Sequence, residues 1–507
     1  MFIVVVGIVV RQSLKAGLGS YIGVGVGIIN QMYISTKYLS VEQLALSRLL
    51  FENSLVFSAF AHLGTPFIAD KFFGLFRNDE EEHHGILPFL LFLPFIGSIL
   101  FAGIYLACSD AIQGYYAERS PMILKYHVLV IPITIFWIYI SVLESYCRNN
   151  ARIAVPGFIR EVYLRLANML LILIFGLGWL SFDTLMYLMV ASYGVAVIFL
   201  CIYLKHLGKW YWRFPNRTIL NGKLIKQILG YGSFTLLGGL GVNMMLFIDR
   251  SMLAGERGLI STGIFIIATY MAGVIEIPRK AIAQISIPLL SDALLRGDLQ
   301  QVRTMNRKSA LNQLIAGGLF FLLIWSCIDE IFFLIPKGDT YGEGKYVVLF
   351  IALVKVFDIG TGLNTEIILY SKYFRFATLF ILAAAVLGFS LNLWLIPLYG
   401  FTGAAIATAL TTLVYSVTRM TFVWLKFRVL PFSYKTLQVM VVLMALYGLT
   451  WLAPHYEKNV VNTLLSIVMK SALLVLIFAS LTIWLRISEE INELVRVGKA
   501  KVFGGRK

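Results

Sequence analysis

The chain has 507 residues, of which 59% are hydrophobic and only 14% charged, and its mean hydropathy is +0.81. A water-soluble protein of that length could not cover its surface with so few charges, whereas apolar runs of about 20 residues match a bilayer core roughly 30 Å thick. The composition therefore excludes a soluble enzyme or binding module, and the net charge of +16 must be read by its placement before any nucleic-acid partner is considered.

The first ten residues, MFIVVVGIVV, are apolar but too short to span, and no cation precedes them as in a secretory signal. They read as an over-extended start or an interfacial extension, which leaves Met1 open as the true start. Hydrophobic spans then occur near 15–36, 44–68, 86–107, 123–144, 157–180, 183–205, 224–249, 259–283, 308–335, 346–371, 375–397, 400–425, 434–453 and 462–485. They predict an all-α integral membrane protein with about 14 transmembrane helices. Spans five and six nearly touch at Leu180 to Asp183, as in a tight hairpin.

With the N-terminus inside, thirty Lys and Arg fall on inner segments and nine on outer ones. That is the positive-inside bias, reinforced by attraction to anionic lipid. It places both termini in the cytoplasm and argues against a nucleic-acid partner. The four cysteines, Cys108, Cys147, Cys201 and Cys327, are scattered without metal-ligand spacing and read as small apolar residues.

Offset by 213 residues, GSYIGVGVGIINQMYISTK (19–37) lies without gaps on GSFTLLGGLGVNMMLFIDR (232–250), with five of nineteen positions identical. These segments are spans one and seven, so the repeats enter from the same side and are parallel, related by an axis along the membrane normal. The expected division is an N-terminal lobe (1–204, helices 1–6), a basic cytoplasmic linker (205–226), a C-terminal lobe (227–428, helices 7–12), helices 13–14 (429–485) and a basic cytoplasmic tail (486–507). The tail can form a short amphipathic helix on the cytoplasmic surface.

Ionisable residues inside spans cost roughly 2.5–3.5 kcal/mol each on insertion scales and normally face a cavity or a partner. In span ten, Lys355, Asp358, Gly362, Thr365 and Glu366 fall within about a third of the helix circumference at about 100° per residue. The stripe reads as a cavity wall that touches substrate or coupling ion, or as a self-neutralising Lys355–Asp358 pair. In spans one and seven, Asn30 with Lys37 and Asn243 with Arg250 are two turns apart and share a face. Paired cations there could attract a pyrophosphate, or could anchor the helix end together with Asp249. Arg48 and Glu52 read as an intrahelical pair, Arg419 as an isolated cavity cation, Glu144, Glu161 and Arg165 as mutual partners, and Lys470 as a snorkelling cation. Lys15 reads as a topology charge or a cavity cation.

Prolines at 66, 94, 132, 156, 278, 288 and 397 allow the helices to bend. There is no Walker A sequence and no HExxH, and the short outer loops leave no room for a membrane-embedded polysaccharide-synthesis enzyme. The segment DEEEHH (79–84) reads as a solvated cytoplasmic turn, with His83 and His84 as an adventitious metal site at most. NRT at 216–218 matches a glycosylation acceptor on the inner side.

The layout, with FIDRSMLAGERGLISTGIFIIATYMAGVIEIPRKAIAQISIPLLSD across spans seven and eight and IPLYGFTGAAIATALTTLVYS entering span twelve, resembles the polysaccharide-transporter branch of the multidrug/oligosaccharidyl-lipid/polysaccharide (MOP) exporter superfamily. The opening RQSLKAGLGSYIGVGVGIINQMYISTKYLSVEQLALSRLL is similar to O-antigen flippases. The resemblance implies a non-enzymatic flippase of the bacterial inner membrane. It would carry an undecaprenyl-pyrophosphate-linked oligosaccharide (an O-antigen, capsule or exopolysaccharide unit) from the cytoplasmic to the periplasmic leaflet by rocking two lobes. It further implies pyrophosphate contacts from Lys37, Arg250, Lys355 and Arg419, polar contacts from Asn30, Asn243 and Thr365, and Na+ or H+ coupling through Asp249, Asp358 or Glu366, with no cofactor or metal. Membrane lipids and other polysaccharide-assembly proteins are the expected partners of a monomer. A cation-coupled multidrug antiporter of the same superfamily shares the architecture and is the alternative, but its cavity should be more acidic.

Overall fold

The computed structural model describes residues 19, 22–78, 80–213, 221–450, 459–490, 492, 493 and 496. The first ten residues, Lys15, the NRT triplet and most of the tail lie outside them. Among the described residues the chain is helical and has no strand.

Eight helical stretches are long and apolar enough to cross a membrane: Val41–Ala61, Glu82–Ala107, Pro121–Asn149, Phe182–His206, Gly222–Lys280, Leu299–Ser326, Phe374–Phe427 and Val460–Trp484. Gly222–Lys280 has 59 residues, about 90 Å of helix at 1.5 Å per residue, far more than one bilayer crossing. It turns at Gly258 (φ 86°), and Phe374–Phe427 turns at Gly400 (φ 58°). An L side chain rarely adopts those angles, so glycine alone folds each run into two spans.

The chain divides into two compact units, Met1–Gly263 and Ile264–Lys507. In the first, α1 (Val41–Ala61), α2 (Thr65–Phe76), α3 (Ile86–Ala107), α4 (Val130–Asn149), α5 (Leu164–Gly176) and α6 (Phe182–His206) precede the start of α7 (Gly222–Gly273). The helix α4 is the hub, packed by α1, α2, α3 and α6. Its buried Val130, Ile133, Ile138, Ile140, Leu143 and Tyr146 anchor the apolar core of this unit. A capping box starts α1: Ser40 Oγ accepts from the Gln43 N–H at 3.1 Å and Gln43 Oε1 accepts from the Ser40 N–H at 2.9 Å.

In the second unit, α8 (Ile277–Arg296) ends at Gly297 (φ 71°), and Asp298 caps α9 (Leu299–Ser326) through the Gln301 N–H. The unit continues with α10 (Lys345–Gly360), α11 (Asn364–Leu369), α12 (Phe374–Phe427), α13 (Tyr434–Thr450) and α14 (Val460–Trp484). Here α10 lies against α9 and α12, while α13 packs on α9 and α14.

Two local departures from regular helix bear on the site. Residues 22–38 contain a π-turn at Asn30–Ile34, whereas the equivalent repeat segment 232–250 runs inside continuous α7. The tenth span is broken at Thr361–Leu363, where Gly362 takes φ +78°, so a single helical wheel over 355–366 does not apply.

Candidate functional site

The densest group of intramembrane charges lies in the second unit. Asp358, in the last turn of α10, is buried and accepts from Arg279 Nη1 at 2.7 Å, from Arg419 Nη2 and from Ser416 Oγ. Arg419 is also buried; it donates to Thr365 Oγ1 and lies 4.0 Å above the Tyr415 ring. Glu366 Oε1 stands 3.8 Å from Arg279, while Glu366 Oε2 is buried and accepts no hydrogen bond among the described residues. Lys355 Nζ donates to Glu276 Oε1 at 2.6 Å. Arg279 and Glu276 reach the group from the start of α8 and the turn before it, on either side of Pro278.

The break at Gly362 makes this convergence possible. It lets Asp358 above it and Glu366 below it serve the same guanidinium, where one straight helix would set them eight residues apart, more than two turns. Asn306 holds the break in place by accepting the Leu363 N–H at 2.7 Å.

The first unit has a smaller group. Arg250 pairs with Glu52 at 2.8 Å, both side chains being largely buried, and its guanidinium sits 5.3 Å from the Phe247 ring. Asp249 is buried and accepts the Arg250 N–H at 2.8 Å. Arg48 turns to Gln31, with Nε to Oε1 at 2.6 Å. The predicted intrahelical Arg48–Glu52 pair is therefore replaced by two interhelical contacts, because each side chain finds a better-placed partner on another helix. Asn243 donates to the Gly239 carbonyl at 2.9 Å.

Asn30 is buried and accepts from Ser35 Oγ at 3.4 Å, but Lys37 is exposed, 5.3 Å from the Tyr38 ring and 5.8 Å from the Tyr33 ring. The shared face expected of Asn30 and Lys37 is lost because the π-turn inserts an extra residue, rotating the next turn of helix by about 100°. Of the two readings of the span-ten stripe, the self-neutralising Lys355–Asp358 pair does not form, since Lys355 goes to Glu276 and Asp358 to two arginines.

Glu144 and Glu161 are joined through Arg160, at 2.7 Å and 3.2 Å, and Arg165 pairs with Glu161 at 2.8 Å. Lys470 binds Glu330. His83, expected in a solvated turn, is buried against Phe73, Tyr146 and Tyr211. Sequence reading missed Arg279 and Glu276 as site residues. Arg279 looked like one more inner-side cation, although its place three residues from a carboxylate inside span eight was a usable signal.

Comparison with solved structures shows what arrangement of helices this is. The lipid II flippase MurJ in an inward closed conformation superposes with TM-score 0.69 at 11% identity, covering 94% of this chain and 100% of its own. An inward-facing multidrug resistance MATE family transporter of the MOP superfamily gives 0.61 at 15%, covering 82% and 94%. The chain shares the fold of these two proteins. A further MOP transporter, from Pyrococcus furiosus, matches at TM-score 0.54 and 15% identity over 83% and 96%; it is described as having a binding pocket of reversed polarity that suggests a different function. These neighbours are described as a flippase and as transporters. No family model matches the sequence, and no curated protein does.

Proposed function

We propose that this chain is a flippase that moves an undecaprenyl-pyrophosphate-linked glycan, such as an O-antigen, capsule or exopolysaccharide unit, from the cytoplasmic to the periplasmic leaflet of a bacterial inner membrane. The observation that carries this reading is the likeness to a lipid II flippase over 94% of the chain and the whole of that protein, broader than the likeness to the multidrug transporter. Buried basic side chains fit the substrate, since a pyrophosphate crossing the membrane needs cations to offset its own desolvation.

The candidate cations Arg250, Lys355 and Arg419 each hold a carboxylate now. A pyrophosphate that takes over such a guanidinium or ammonium releases Glu52 or Glu276, which must then be neutralised, or leaves Asp358 to Arg279 alone. Uptake of H+ or Na+ by the released carboxylate, or by Glu366 with its unpartnered Oε2, would couple substrate movement to an ion gradient. Thr365, Asn30 and Asn243 would supply neutral contacts, and the two repeats would rock as lobes.

The test is complementation in bacteria lacking their own O-antigen flippase, with Arg250→Ala, Lys355→Ala and Arg419→Ala beside the parent. Return of surface polysaccharide with the parent and its loss in well-expressed variants is the expected result. No return, together with a gain of dye efflux, would move the assignment to a cation-coupled multidrug antiporter.

A further inference from the structure

Away from these charges, the first unit holds a cavity of ≈ 160 Å³ lined by Arg77, Asn150, Arg152, Leu207 and Lys209. Its cations come from three separate segments, each just past the C-terminal end of a helix: Arg77 after α2, Arg152 after α4 and Lys209 after α6. The positive-inside reading puts all three on the inner side of the membrane. Among the described residues, no carboxylate pairs with Arg77 or Arg152.

Topology and helix dipoles favour cations at such ends, but neither requires three of them to converge on one cavity. The walls are also fixed in place. The Arg152 N–H donates to the Cys147 carbonyl at 2.9 Å and the Lys209 N–H to the Leu204 carbonyl at 3.0 Å. Tyr146 Oη donates to the Lys209 carbonyl at 3.1 Å. Asn150 is held at both ends of its amide: Nδ2 donates to the Tyr146 carbonyl at 2.9 Å, and Oδ1 lies 3.2 Å from His83 Nε2.

His83 reaches that position only because Glu82, His83 and His84 all take left-handed φ angles of 53°, 50° and 49° before Gly85. Consecutive non-glycine residues in this region are strained and persist where surrounding structure demands them. The strain here positions a wall of the cavity.

We propose that this cavity is a binding site for a phosphate-bearing anion at the inner membrane face, gripped by the Arg77 and Arg152 guanidiniums, with Lys209 and Asn150 completing the contact. Arginine suits a phosphate through paired charge-assisted hydrogen bonds. The aromatic residues beside the site favour an anionic phospholipid headgroup as the source. Lys209 leads directly into Trp210, Tyr211 and Trp212, where the two indoles stack at 6.2 Å and Trp212 is exposed. Such residues gather at headgroup level, and basic pockets between helices take lipid phosphates there.

The experiment is thermal unfolding of the purified full-length chain in neutral detergent, titrated with phosphatidylglycerol, with phosphatidylcholine, and with inorganic phosphate alone. Phosphatidylglycerol should raise the midpoint where phosphatidylcholine does not, and high salt should erase the shift. The Arg77→Gln/Arg152→Gln double variant should weaken the apparent affinity about a hundredfold, tenfold for each lost charge-assisted contact, while Lys372→Gln, an inner-side cation outside the cavity, should leave it unchanged. A shift produced by inorganic phosphate alone and lost in the double variant would assign the site to a soluble anion. Equal shifts with both lipids and none with phosphate, or a phosphatidylglycerol shift that survives in the double variant, would overturn the site. If the double variant does not fold, Lys209→Gln and the salt series on the parent decide the same question.

Discussion

Lys355 Nζ donates to Glu276 Oε1 at 2.6 Å, although Asp358 lies one turn away on its own helix. The choice leaves Asp358 to Arg279 and Arg419, so residues around α8, α10 and α12 share one cluster in which three cations face three carboxylates. In a membrane such balance is what keeps the charges tolerable, and it makes each member sensitive to the loss of another.

Asp358→Asn should be strongly destabilising. It strips the counter-charge from the buried Arg419 guanidinium and from half-buried Arg279, and removing one partner of a buried pair costs about 3–5 kcal/mol. A fall of several degrees in the thermal midpoint of the detergent-solubilised protein is expected. An unchanged midpoint would mean that Glu366 alone holds Arg279 and that Arg419 needs no carboxylate.

The Arg250–Glu52 pair can be separated into structure and function by a double-mutant cycle. Each single variant, Arg250→Gln or Glu52→Gln, strands a largely buried charge and should lower stability, with a coupling energy of about 0.5–3 kcal/mol recovered in the double variant. If the double variant regains stability but not complementation, the guanidinium itself meets the substrate. Recovery of both would leave Arg250 a brace between α1 and α7.

The ladder of spans was legible because hydropathy is a one-dimensional property, and the bilayer imposes it on every crossing helix alike. Partners for the intramembrane charges were not, because Arg250 with Glu52, Arg48 with Gln31 and Lys355 with Glu276 depend on which helices touch and at what height. Arithmetic of about 100° per residue also failed wherever the helix itself was irregular. The π-turn separates Lys37 from Asn30, and the break at Gly362 divides the span-ten stripe. Glycine at 258 and 400 marks the reverse case, where a residue visible in the sequence lies where two spans meet.

Gly362→Ala should disable the break that gathers the cluster. A Cβ there would stand 2.6 Å from Asn306 Oδ1 and 2.9 Å from the Asn306 carbonyl oxygen, in addition to the penalty of about 1–2 kcal/mol for an L residue at positive φ. Displacing Asn306 would also remove its hydrogen bond to the Leu363 N–H. A loss of roughly 2–4 kcal/mol is expected, read as a lower thermal midpoint with reduced complementation. A variant as stable as the parent would show that the chain can re-form this turn without glycine.

Lys37 offers the opposite experiment. It is exposed, and among the described residues it has contacts with the Tyr33 and Tyr38 rings but no carboxylate partner. Exposed cation–π contacts contribute only about 0.5–1 kcal/mol, so Lys37→Ala should leave the thermal midpoint almost unchanged. Of the four candidate cations it is the one with no carboxylate partner among the described residues, and a loss of complementation in Lys37→Ala would therefore report on substrate handling rather than folding. Lys37→Arg should then restore the activity, because the charge returns. Full activity in Lys37→Ala would remove this residue from the pyrophosphate contacts and leave Arg250, Lys355 and Arg419 as the remaining candidates.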